Sequence, residues 1–157
     1  AGVTAIDVNA DGTRLVSSAY DGSVKLWDIT TFSEKMVLSG HKDMVMSCHF
    51  SRDGRFIATA SFDRTVRVWD ARTGAVLHIL RGFPGVVRAC SFSADGRYLA
   101  CGDWAKMIHV LDWESEREVA VYPPLGNLLS CVFSRAVDVL AAGDEANNVY
   151  FLRLVTN

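Results

Sequence analysis

Residues 40–70 read GHKDMVMSCHFSRDGRFIATASFDRTVRVWD, and the period inside this stretch is two. Val45 to Phe50 is apolar enough for a buried strand. Ser51-Arg52-Asp53-Gly54 is a turn, with glycine supplying positive φ. Phe56 to Ser61 predicts a second strand and Phe62-Asp63-Arg64 a tight turn. Thr65 to Trp69 alternates and is β-branched, so it predicts a third strand. Asp70 to Gly74 is a further turn, and Val76 to Leu80 predicts a fourth strand. Four short antiparallel strands joined by hairpins make one twisted sheet.

The same pattern recurs along the chain. Asp11-Gly12, Asp53-Gly54 and Asp95-Gly96 stand 42 residues apart. Trp27-Asp28 and Trp69-Asp70 share that spacing, and Asp112 falls another 42 on. Phe50 and Phe92 are 42 apart and Phe133 follows after 41, a rhythm kept by Cys48, Cys90 and Cys131. The chain is therefore expected to be a single segment, 1–157, of four units at approximately 3–44, 45–86, 87–127 and 128–157. The one weak helical stripe, 113–121, lies where the repeat demands a turn and then a strand. The fold class is all-β. A four-stranded unit at this period matches a β-propeller blade, whose two apolar faces need neighbours on both sides.

Composition narrows the function classes. The chain has 157 residues, half of them apolar, 22% charged, and a net charge of −2. That is a core-forming balance rather than a disordered one. No window long enough to cross a membrane as a helix lacks charge. No basic block is present to neutralise phosphates, so nucleic acid is not expected as the main partner. No basic segment followed by an apolar run marks a signal peptide. None of the cysteines, at 48, 90, 101 and 131, forms C-x-x-C or lies within four residues of a histidine. Buried reduced thiols are expected, with no metal and no cofactor, in a cytoplasmic protein (the nucleus is left open).

Gly40-His41, Asp53-Gly54, Asp63 and Trp69-Asp70, with Trp27-Asp28 and Gly12 in register, resemble the WD-repeat family over nearly the whole chain. The resemblance implies rings of about seven blades, so these four units are expected to be the C-terminal half of a larger ring or a fragment of a longer sequence. If the half-ring were the whole product, its flanks would expose apolar sheet and it would self-associate. The resemblance also implies that His41, Thr59, Asp63 and Trp69 form a hydrogen-bonded chain, with Ser61 the rival for the hydroxyl. A buried indole N–H and a buried carboxylate each need a partner, which makes the role structural. The first unit keeps Ser17, Asp21 and Trp27. The third has Phe83, Cys101, Ala105 and Leu111 at these positions, and the fourth Pro124, Ala142, Ala146 and Leu152. All four positions turn apolar together, as expected when a half-satisfied buried network is worse than none.

The residue before the turn aspartate is Tyr20, Phe62, Trp104 and Glu145 in successive units. Aromatics at turn tips cannot be core by strand alternation, and large exposed aromatics mark binding surfaces. In the family this position often contacts peptides. Met44, Met46 and Arg88 begin first strands and should border the same face, with core packing the alternative for the methionines. The expected function is a non-enzymatic scaffold that binds partner proteins or peptides there. Trp69-Asp70-Ala71-Arg72 also resembles the motif of cullin-RING ligase substrate receptors, in which Arg72 would meet an adaptor protein. A further alternative is the sensor propeller of a larger nucleotide-switched signalling protein. No G-x-x-x-x-G-K-[ST], H-E-x-x-H or G-x-S-x-G occurs, so no catalytic residue is assigned. His49, His78 and His109 read as outer-strand positions without a role. Glu114, Glu116 and Glu118 read as solvated. Asp103 is unexplained by the repeat: it either replaces the carboxylate lost at Ala105 or acts near Trp104.

Overall fold

Each Asp-Gly pair turns the chain by one device. Gly54 adopts φ 68° and its N–H donates to the Ser51 carbonyl at 2.9 Å, while Asp53 Oδ1 accepts from the Ser51 hydroxyl and the Arg55 N–H. Gly12 and Gly96 repeat the positive φ and the bond, to the carbonyls of Asn9 and Ser93. A side chain with a Cβ is strained in that region, which is why glycine recurs there.

The computed structural model describes residues 1–123, 126–134 and 139–154. Among them the chain forms antiparallel strands and no helix. The first sheet is β1 (Val3–Val8), β2 (Arg14–Ala19), β3 (Val24–Asp28) and β4 (Ser33–Leu38). The second is β5 (Val45–Phe50), β6 (Phe56–Ser61), β7 (Val66–Asp70) and β8 (Val76–Leu80). The third is β9 (Val87–Phe92), β10 (Tyr98–Asp103), β11 (Ile108–Asp112) and β12 (Arg117–Tyr122). The fourth is β13 (Leu128–Phe133), β14 (Val139–Asp144) and β15 (Val149–Arg153). Strands follow chain order within every sheet, as hairpin connections require.

The sheets pack face to face, with β1, β5, β9 and β13 as successive neighbours. Val16, Val24, Leu26 and Leu38 of the first sheet meet Cys48, Ile57 and Trp69 of the second. Ala58, Val66 and Val68 meet Cys90, Leu99 and Leu111 of the third. Ala100, Ile108 and Val110 meet Leu128, Cys131 and Leu140 of the fourth. Each large side chain buried this way contributes roughly 1.5–3 kcal/mol. Side chains also stitch the inner strands together. Asp7 Oδ2 accepts the Phe50 N–H at 2.8 Å, and Ser91 Oγ accepts the Phe133 N–H at 3.1 Å. The outward faces of the first and fourth sheets carry apolar residues in the open: Ile6 is 62% exposed and Phe151 75%. Their counterparts Cys48 and Val110 are buried.

Three details depart from the sequence reading. The third strand of the second unit starts at Val66, not Thr65, because the Thr65 N–H and hydroxyl are committed to Asp63. The last strand is Val149–Arg153; its expected end, Val155, lies outside the described residues. The histidines are not all on outer strands: His78 is on β8, but His49 lies on the innermost β5 and His109 on β11. Period-two reasoning assigns a residue to a strand but not to a side-chain environment.

All four cysteines are free and buried. Burial pushes the Cys48 and Cys131 thiols up to about 12, and those of Cys90 and Cys101 up as well. A thiol-disulfide reagent such as Ellman's should therefore titrate none of them in the native protein at neutral pH and all of them in guanidinium chloride.

Candidate functional site

Four side chains of the second unit form one continuous chain of hydrogen bonds. The Trp69 Nε1–H donates to Thr59 Oγ1 at 2.9 Å. Having accepted there, the Thr59 hydroxyl directs its own proton to His41 Nε2, 2.7 Å away. That leaves His41 Nδ1–H to donate to Asp63 Oδ2 at 2.8 Å. The polarity of the chain thus sets a neutral Nδ1–H imidazole. Asp63 accepts as well from the Lys42 N–H, the Thr65 N–H and the Thr65 hydroxyl. Burial pushes its carboxyl up, but these donors and His41 outweigh that and hold it at about 2. Ser61 takes no part in the chain: its hydroxyl donates to the Asp43 carbonyl.

In the first unit Trp27 Nε1–H donates to Ser17 Oγ at 2.9 Å. Asp21 is not joined to that pair; its carboxylate accepts the N–H and hydroxyl of Ser23. In the third unit Phe83, Cys101 and Leu111 are buried and apolar, whereas Ala105 is exposed. In the fourth, Ala142 is buried, Ala146 is exposed, and Pro124 lies outside the described residues.

The carboxylate is moved in the third unit rather than lost. Asp103 sits two residues before Ala105, at the end of β10, and is fully buried. Its Oδ1 accepts the N–H of Met107, the register equivalent of Thr65, and its Oδ2 accepts the Gly85 N–H. An imidazole follows it from the other side. His109 on β11 places Nε2 3.5 Å from Asp103 Oδ2 and donates Nδ1–H to Glu118 Oε2 at 2.6 Å. Phe83, in the place of His41, packs edge-on against His109 at 5.1 Å. The fourth unit repeats the shift: Asp144 accepts the Asn148 N–H and the Tyr150 hydroxyl, the latter at 2.7 Å. Glu118 is therefore not merely solvated, and His109 lies between two carboxylates. The signal in the sequence was paired: an extra aspartate at 103 and 144, with a polar ring six residues later at 109 and 150.

The turn-tip residues are presented by a repeated backbone bond. The N–H groups of Tyr20, Phe62, Trp104 and Glu145 donate to the carbonyls of Gly2, Met44, Val86 and Asn127, at 2.9–3.1 Å. Each turn is tied in this way to the start of its own first strand. Gly85 is needed for the closest approach, since a Cβ there would lie 2.4 Å from the Ala105 nitrogen. Tyr20 is 53% exposed and Trp104 42%, while Phe62 is half-buried against Trp104 with ring centroids 5.0 Å apart. Met44, Met46 and Arg88 are half-buried, and the Arg88 guanidinium lies 6.0 Å from the centre of the Trp104 ring. On the opposite face Arg72 is exposed and, with Arg14, Arg55, Asp53 and Asp70, lines a shallow groove.

The two buried histidines have opposite pH signatures. Burial lowers the His41 pKa despite Asp63, so the unfolded chain binds more protons; stability from this network is present above about 6.5 and falls as pH drops below it. For His109 burial also acts downward, but Asp103 and Glu118 outweigh it and raise the pKa. Its contribution is full below about 6.5 and is lost as pH rises through the raised value. In urea unfolding, the stability gap between the protein and its His41→Ala variant should widen from about pH 5.5 to 7.5. The gap to His109→Ala should narrow over the same range. Trp69→Ala should cost about 3–5 kcal/mol, from the cavity and from the donor lost to Thr59.

The family profile described as WD domain, G-beta repeat matches residues 1–28, 32–70 and 74–112. The chain is also similar to Protein HIR1 of Candida albicans, at 50% identity over 40 residues. That match covers 24% of this chain and 4% of the relative, so it spans only a small part of that protein. With three profile matches in register, and with the four-stranded antiparallel sheets stacked face to face, the chain belongs to the WD-repeat family.

Proposed function

We propose that this chain is a non-enzymatic scaffold that binds partner proteins or peptides on the face formed by its β2–β3-type turns. WD-repeat domains generally mediate protein–protein interactions, and the observation that supports this face is its aromatic tips. Three successive units present Tyr20, Phe62 and Trp104 from turns held to first strands by the same backbone bond. Rigid aromatics in half-buried settings are the residues that carry binding energy at interfaces. Each turn is fixed at its base, so little ordering entropy is lost on binding. His41, Thr59, Asp63 and Trp69 serve this surface from below, by holding the linker and the Phe62 turn in register.

The experiment is a triple variant, Tyr20→Ala, Phe62→Ala and Trp104→Ala, compared with the parent in quantitative affinity capture. Binding should weaken by about 1–4 kcal/mol in total, with the unfolding midpoint changed little. Equal recovery of the same partners by the triple variant would mean that the aromatic face is not the docking surface. A second reading, adaptor docking through Arg72, is favoured by its exposed position on the opposite face. It predicts that Arg72→Ala abolishes adaptor co-purification and leaves the aromatic face's partners bound.

A further inference from the structure

We infer that the face between the second and third units takes an acidic peptide segment, with a Glu or Asp carboxylate on the Arg88 guanidinium and an adjacent apolar side chain against Phe62 and Trp104. This deepens the reading above and rests on it. Arg88 carries the argument. Its Nε is buried and has no hydrogen-bond acceptor, and among the described residues no carboxylate lies within ion-pair distance. A buried guanidinium donor without a partner is costly and in folded proteins is normally answered. Other arginines of the chain are answered: Arg14 donates to the carbonyls of Gly54 and Ala71, and Arg97 pairs with Asp112. Arg67 also has an unpartnered Nε, but it is only 8% exposed and lies against Trp69. Arg88 is half-buried beside the exposed Trp104. Contact with that ring orients the guanidinium, whose fork matches a carboxylate in two parallel bonds.

The charge around Arg88 favours the same ligand. Lys42, Arg64, Arg81 and Lys106 are all exposed on the linkers and turns of these two units. On the same linkers and turns, these four cations and Arg88 outnumber the carboxylates Asp43, Asp63 and Asp103. Asp63 is held by His41 and Thr65, Asp103 by Gly85 and Met107, and Asp43 accepts the Met44 N–H. A chain of net charge −2 therefore presents a cationic patch here, beside two aromatic rings. Such a patch attracts an acidic segment, and the rings supply an apolar anchor site.

The probe is a phage-displayed random peptide library selected on the folded protein, followed by affinity measurements on blocked synthetic peptides from the winners. Selected peptides should carry Glu or Asp beside an apolar residue. They should bind about tenfold more weakly to Arg88→Gln, and the same loss should appear on the unaltered protein when that acid is changed to its amide. The two losses should not add when combined. Arg88→Lys should recover part of the affinity. Peptides that depend on Phe62 and Trp104 but need no acid, or that bind Arg88→Gln undiminished, would overturn the acidic-segment inference and leave the docking face standing. Peptides indifferent to Phe62→Ala and Trp104→Ala would overturn the docking reading itself. If Arg88→Gln does not fold, the acid-to-amide peptides decide alone: no loss overturns the inference.

Discussion

A four-stranded sheet with apolar residues on both faces cannot keep either face from water, so every unit of this chain depends on the sheet beside it. Val16, Val24, Leu26 and Leu38 share one face of the first sheet, and Cys48, Ile57 and Trp69 of the next sheet cover it. The same exchange is repeated between the second and third sheets and between the third and fourth. The face-to-face contact explains why small residues such as Ala58, Ala100 and Ala142 recur on second strands. It also explains why the strands nearest one another borrow side chains, Asp7 and Ser91, to satisfy N–H groups that no sheet neighbour reaches.

The stacking fixes the sheets but not the turns at their ends, and there the chain uses carboxylates. In the second unit Asp63 gathers the linker through His41 and Lys42, and the turn through Thr65. In the third unit Asp103 performs the same joining from a position two residues earlier, with Gly85 on the linker and Met107 on the turn. The imidazole then arrives from the third strand, as His109, and phenylalanine replaces histidine in the linker. Two arrangements of acid and ring thus satisfy one requirement: a turn and a linker whose N–H groups need an acceptor. The protonation preferences differ because the surroundings differ. His41 has one carboxylate and a hydroxyl that needs it neutral; His109 lies between two carboxylates.

The units, their strand order and the turns were legible in the sequence, since alternation, Asp-Gly pairs and a 42-residue period are local signals. So were the four members of the second unit's polar chain, because their identities recur at set offsets in a family of repeats. The shifted network of the third and fourth units was not. Asp103 was read as either replacing the carboxylate lost at Ala105 or acting near Trp104, but Asp144 was not singled out and His109 had been assigned no role. A residue-by-residue overlay of the repeats compares like positions, whereas the carboxylate had moved along the chain and its ring had moved to another strand. Three-dimensional proximity was conserved while register was not, and no single-position comparison can detect that.

From the sequence alone came the all-β repeat architecture and the aromatic turn tips, because strand alternation and turn chemistry act over a few residues. Tertiary structure decided which side chains complete one another across strands and sheets. It put Asp103 beside His109 and His109 beside Glu118, brought Phe62 to Trp104, and left Arg88 against that ring with its Nε unanswered. Those meetings depend on how successive twisted sheets stack, and stacking is set by the packing of whole faces rather than by any residue's neighbours in the chain.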